Sequence, residues 1–331
     1  MFDDSLLDDA GALARSERLR HLALTGARLR RDHTDEMASV VEGLSGVRPR
    51  SVLVTGAEAR LVRAVVEPFC PVPCVAWAMP GLPPWAGSLD LVIVLAGLDS
   101  RLLPACLEAL KRGSLLFVVA PQGSPLLDES TSVAMIPTQD DDPFVAALLV
   151  LKVLDLLGLG PALDLDEVAD ALDSVAESCG PRYGLDANPA KNLACALADH
   201  VPLIWGGSVL AARASRRVAE ALREATALPA LAADDEALLP LILGSRPRDV
   251  FADPFEDGSG SMEYCLLILD DGEYTLQAVD LAQIAEARNL RVEHIRSVPG
   301  NPVVRYASLL NQGLFAAAYL GLATVTEEES S

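Results

Sequence analysis

Two turns carry residues whose types and spacing suit them to binding an anion. Thr55-Gly56-Ala57-Glu58 follows the run SVLVT, and Ala96-Gly97-Leu98-Asp99-Ser100 follows LDLVIVL. A phosphoryl group is held by backbone N–H groups, by hydroxyls and by the positive end of a helix. Each turn offers a glycine and a hydroxyl, and each adds a carboxylate, Glu58 or Asp99, near the anion's position. A carboxylate at a helix N-terminus is itself stabilising, so both acids also read as helix caps that fill the place of a ligand. One like-charge contact at roughly 4 Å costs about 4 kcal/mol at an effective dielectric near 20. A dinucleotide fingerprint is excluded, because Gly56-Ala57-Glu58-Ala59-Arg60-Leu61 lacks the second glycine that admits a pyrophosphate.

The elements that position these turns follow from the hydrophobic pattern. SVLVT, PCVAW, LDLVIVLAG, SLLFVVAP and SVAMI read as five strands, with helices over about residues 58–68, over RLLPACLEALKRG and from Pro143. Continuous apolar strands separated by helices indicate a parallel sheet covered on both faces, a three-layer α/β/α domain. HVPLIWGGS, YCLLILDDG and RVEHIRSV repeat the theme, with a helix over 208–226, another over LAQIAEARN and a last one through VRYASLLNQGLFAAAYLGLA. Two such domains are expected, residues 1–154 and 155–331, each with a flavodoxin-like strand order. The stretch at 246–263 reads as a surface loop, and the TEEESS tail as frayed.

Composition narrows the partners. Asp and Glu outnumber Lys and Arg by 47 to 26, a formal charge of −21, which disfavours nucleic acid and anionic membranes. Lys152 and Asp155 interrupt the longest apolar run, and the acidic start is unlike a signal peptide, so a cytoplasmic protein is expected. The six cysteines form no Cys-x-x-Cys pair and read as reduced thiols, with no metal and no cofactor implied. Asp140-Asp141-Asp142 before Pro143 reads as a helix cap, as does Asn188 before Pro189, with Lys191 left in solvent. His21, His33, His200 and His294 stand singly, with no catalytic arrangement to assign. On the 208–226 helix, Leu210, Ala214, Val218 and Leu222 share the buried face, while Arg217, Glu220 and Glu224 read as a solvated charge ladder.

The segment VPLIWGGSVLAARASRRVAEALREATALPALAADDEALL resembles the second-domain signature of the bifunctional phosphoglucose/phosphomannose isomerases, double sugar-isomerase (SIS) proteins, and within them the TobH-type subgroup. ARSERLRHLALTGARLRR and SLLNQGLFAAAYLGLA resemble the same family. The resemblance implies two SIS domains, a homodimer, a sugar-phosphate ligand and proton transfer between C1 and C2 of an open-chain sugar. It places Glu224 on the family's base and Arg217 on its helix arginine. A carboxylate suits that work if burial raises its pKa towards neutrality. The family's first loop, G-x-G-G-S, is here TGAEA; its second, S-x-S-G-x-T, is LAGLDS; its His-Asn stretch is Asp234-Asp235-Glu236. The resemblance therefore implies a degraded isomerase with a carbohydrate-binding or regulatory role. An active isomerase, or a non-catalytic partner of a metabolic enzyme, stands beside it as an alternative.

Overall fold

The computed structural model describes residues 2–33, 35–128, 134–245 and 263–324. The expected loop, apart from Glu263, and the tail lie outside them. The chain divides into two compact units, one of residues 25–169 and one of residues 1–24 with 170–331. Its first residues thus belong with the C-terminal half, in place of a single boundary at 154/155.

In chain order the helices and strands begin with α1 (Ala10–Leu13) and α2 (Glu17–Ala23), which belong to the second unit. The first unit holds α3 (Thr25–Asp32), α4 (Asp35–Leu44), β1 (Val52–Gly56), α5 (Ala59–Val66), β2 (Cys74–Trp77) and β3 (Leu91–Leu95). It continues with α6 (Leu103–Arg112), β4 (Leu115–Pro121), α7 (Pro125–Asp128), β5 (Ala134–Thr138) and α8 (Pro143–Leu156). The helix α9 (Leu165–Ser178) leads back to the second unit. There follow α10 (Pro189–Leu197), β6 (His200–Gly206), α11 (Val209–Thr226), β7 (Leu231–Ala232), α12 (Asp235–Gly244), β8 (Glu263–Asp270), α13 (Thr275–Glu286), β9 (Arg291–Arg296) and α14 (Pro302–Leu322).

Both sheets are parallel throughout, as the unbroken apolar runs require. The first is ordered β2-β1-β3-β4-β5, and every residue of β3, Leu-Val-Ile-Val-Leu, is buried. The second is ordered β7-β6-β8-β9, among the described residues the same arrangement one strand shorter. The expected flavodoxin-like order therefore holds in both. At the N-terminal edge of the first sheet, fully buried Asp90 ties β1 to β3. Its carboxylate accepts from Arg50 Nη2 at 2.6 Å, Ser51 Oγ at 2.8 Å and Gly87 N at 2.8 Å. Burial alone would raise its pKa; the Arg50 hydrogen bond, with those of Gly87 and Ser51, outweighs it and holds the carboxyl below its ordinary value.

Sequence spacing anticipated the caps at α8 and α10. Asp142 Oδ1 accepts from Phe144 N and Val145 N, and Asn188 Oδ1 accepts from Ala190 N and Lys191 N. Asp142 also accepts from Arg28 of α3 at 2.7 Å, a pair buried on both sides. Lys191 is a correction: it is 1% exposed, not solvated. Its Nζ donates to the carbonyls of Leu7 at 2.7 Å, Tyr183 at 2.8 Å and Pro181 at 3.1 Å, and lies 5.6 Å from the centre of the Tyr319 ring. Three carbonyls use all three ammonium donors. This clasp explains why residues 3–7 travel with the C-terminal half; Asp3 N also donates to Ala323 O at 2.8 Å.

Two outcomes follow. Lys191→Met leaves three inward carbonyls without a donor, so chemical denaturation should show a loss of about 3–5 kcal/mol; unchanged stability would show that the clasp contributes nothing. For Asp90, a folded-state pKa below the unfolded value adds stability above about pH 4 that disappears as pH falls through the folded pKa. The wild type should therefore exceed Asp90→Asn by about 1–3 kcal/mol at pH 7 and the gap should close in acid; a gap constant from pH 7 to pH 3 would refute the assignment.

Candidate functional site

In open parallel sheets a ligand lies beyond the carboxyl ends of the strands, where the strand order reverses. In the first unit that point falls between β1 and β3, and so between the two turns singled out in the sequence. Gly56 closes β1 at a φ of +120°, and a Cβ there would stand 2.1 Å from the carbonyl oxygen of Leu95. The neighbouring strand alone therefore demands glycine, with no ligand needed to explain it. Thr55 is 2% exposed within β1. Glu58 is equally buried and stands at the N-cap position of α5, where its backbone carbonyl accepts from Leu61 N and Val62 N. Its side chain makes no capping bond, so the acid occupies the cap position without acting as the cap.

The second turn departs further from expectation. Asp99 does not cap α6, which starts at Leu103 with Leu102 in the cap position. Its carboxylate accepts from the backbone N–H of Arg101 at 2.9 Å and from the Arg101 guanidinium at 2.6 Å. That arginine holds the Asp99 pKa below its ordinary value. Ser100 is exposed and its carbonyl accepts from Leu103 N. The acid that faces Gly97 is Asp141, from the segment between β5 and α8. Its oxygens lie 3.3 and 3.4 Å from where a Gly97 Cβ would be, and Leu98 N–H donates to Oδ2 at 3.4 Å. A run of three aspartates before a proline reads as a cap, and only Asp142 serves as one; that surplus was the signal for Asp141.

The second unit has a matching crevice between β6 and β8, with Gly206-Gly207-Ser208 leading into α11. A Cβ on Gly206 would meet Ala211 backbone at 2.3 Å, and one on Gly207 would meet Tyr274 at 2.4 Å. Ser208 Oγ accepts from Ala211 N and donates to Asp271, and both side chains are buried. Here too a carboxylate occupies the helix N-terminus, a feature that the GGS turn and the DDG after β8 contain but that sequence reading did not join. Arg217 and Glu224 lie away from this crevice. Val218 packs on Gly313 of α14 and Ala225 on Gly321, so the opposite face of α11 carries the charges. Arg217 Nη1 donates to Glu220 at 2.5 Å, and Glu224 is exposed. At about 1.5 Å per residue, Glu224 stands roughly 24 Å along the helix from Ser208.

The groups gathered at the first crevice are thus a buried hydroxyl, two glycines and carboxylates, a set suited to accepting hydrogen bonds and poorly suited to holding a phosphoryl group. The four buried thiols are not activated either. Burial pushes Cys106 and Cys179 up to about 11, and Cys74 and Cys265 up to about 12, where the thiolate is scarce at neutral pH. Among the described residues, no group of three His, Cys, Asp or Glu side chains is placed to hold a metal ion, and no helix is long and apolar enough to cross a membrane.

Comparison with known proteins agrees with this architecture. Residues 186–326 match the model of the bacterial phospho-glucose isomerase C-terminal SIS domain. No curated protein sequence matches the chain. Among solved structures, tagatose-6-phosphate ketose/aldose isomerase from Escherichia coli is similar at a TM-score of 0.66 and 14% identity, covering 92% of each chain. The C-terminal domain of glucosamine-fructose-6-phosphate aminotransferase from Francisella tularensis is similar at 0.63 and 11%, over 92% of this chain and 94% of that one. A glucose-6-phosphate isomerase like protein from Thermus thermophilus is similar at 0.54 and 17%, over 88% and 89%. Residues 186–326 thus match the bacterial phospho-glucose isomerase C-terminal SIS domain, and along most of its length the chain shares the fold of these solved structures.

Proposed function

We propose that this protein is a phosphosugar-isomerase homologue that has lost turnover and serves as a carbohydrate-binding or regulatory member of sugar-phosphate metabolism. The observation that carries the reading is Glu58, a carboxylate 2% exposed at the first turn of α5, where the architecture would otherwise present N–H groups to a phosphate. A bound dianion would meet that charge in a place where water screens it little. The two turns together support the same reading: Thr55 is buried in its strand, Ser100 is turned to solvent, and the glycines Gly56 and Gly97 are accompanied by acids. By the likeness to SIS isomerases, the working form is a cytoplasmic homodimer that takes a sugar derivative without a cofactor.

A second reading is an active aldose–ketose isomerase of glucose 6-phosphate or mannose 6-phosphate, favoured by the family match that spans Arg217 and Glu224. Glu224 would then move the proton between C1 and C2, and Arg217 would orient the substrate. The exposure of Glu224 and its place on the outer face of α11, away from the Ser208 end, weigh against it. Non-catalytic docking to a metabolic enzyme through the acidic surface is a third.

The deciding measurement is a coupled assay for fructose 6-phosphate from either sugar phosphate, run beside calorimetry with glucose 6-phosphate and with unphosphorylated sugars. No turnover above background and no micromolar affinity for the phosphorylated sugar are expected. Turnover that Glu224→Gln abolishes would establish the active isomerase instead.

A further inference from the structure

We infer that Asp141 is a built-in occupant of the anion position at the second turn, an autoinhibitory contact that keeps phosphorylated ligands out. The inference rests on the reading above and names a second residue, beside Glu58, that enforces it. Its geometry starts with one peptide plane. Ser124, fully buried, donates from Oγ to the carbonyl of Gly97 at 2.8 Å. In a trans peptide the C=O and the following N–H point in opposite directions. Fixing the Gly97 carbonyl therefore fixes the Leu98 N–H on the other side, and what it meets there is Asp141 Oδ2. Both carboxylate oxygens rest on the bare face of Gly97, at 3.3 and 3.4 Å from the position a Cβ would take.

Among the described residues, Asp141 has no further hydrogen bond or ion pair. Its neighbour Asp142 caps α8 and pairs with Arg28. Asp140 pairs with Arg31, which also binds Asp32. The two guanidinium groups there are matched by those carboxylates, so Asp141 adds charge that neither of them cancels. Asp141 is exposed, so replacing it leaves the core intact. Asp99, satisfied by Arg101, is not the excluding group.

The test uses the full-length protein, with Asp141→Asn and Asp141→Ser compared with wild type by calorimetry and thermal shift, and inorganic phosphate and glucose 6-phosphate as probes. Both variants should melt with the wild type in the absence of ligand and bind the probes about tenfold more tightly or better. Glu286→Gln, an equal change of net charge on α13, should gain nothing. Binding no tighter than wild type in both Asp141 variants would overturn the inference and leave the reading of a silent isomerase standing. An equal gain in Glu286→Gln would overturn it as a mere effect of net charge. Turnover of glucose 6-phosphate by the unmodified protein would remove the reading itself, whatever the variants do.

Discussion

A parallel sheet must be covered on both faces, and from that constraint most of this molecule follows. Because each strand returns through a helix, all the strand ends of one polarity collect on one edge, and the helix N-termini collect beside them. Backbone donors with no partner of their own concentrate there. Something has to satisfy them. In this protein the chain's own side chains lie there: Asp141 accepts from Leu98 N and Ser208 Oγ from Ala211 N, Asp271 accepts from that hydroxyl, and buried Glu58 holds the cap position of α5. The first turn shows how close the fit is, since Gly56 exists because β3 passes within reach of its missing side chain.

Supplying the negative charge internally alters what the edge can recognise. A helix N-terminus facing solvent attracts any anion of the right size. One that already has a carboxylate beside it gains little from a second and is repelled by it. The stabilisation that a ligand would have given only when present is then permanent. Stability and phosphate affinity are in this sense alternatives at the same spot. The distance of Glu224 from the Ser208 end of α11 fits the same pattern, since α11 keeps its packing face against α14 at Gly313 and Gly321 while its outer face carries ordinary surface charge.

The sheets were legible in the sequence because fully buried strands read as unbroken apolar runs; Leu91–Leu95 needs no context to be recognised. The strand β7 was not, since two residues, Leu231 and Ala232, carry no periodicity. The caps at Asp142 and Asn188 were legible because cap followed by proline is a local signal. Asp99 and Asp141 show the limit of such signals. Adjacency to a glycine turn suggested Asp99, but two residues on, Arg101 captures it; Asp141 arrives from a segment 43 residues further along the chain. Lys191 was misread for a related reason: its partners are backbone carbonyls, that of Leu7 at the end of a short 3-10 helix and that of Tyr183 in a bend, and no residue pattern announces either.

The ammonium of Lys191 reaches a carbonyl 184 positions earlier, and this has a bearing on how the molecule is made. During synthesis the segment 25–169 leaves the ribosome as a contiguous piece and can condense by itself, since domains fold as units from the N-terminal side. Leu7 and its neighbours must wait, their apolar side chains uncovered, until α10 has emerged. A segment translated ahead of residues 25–169 thus finds its place after them.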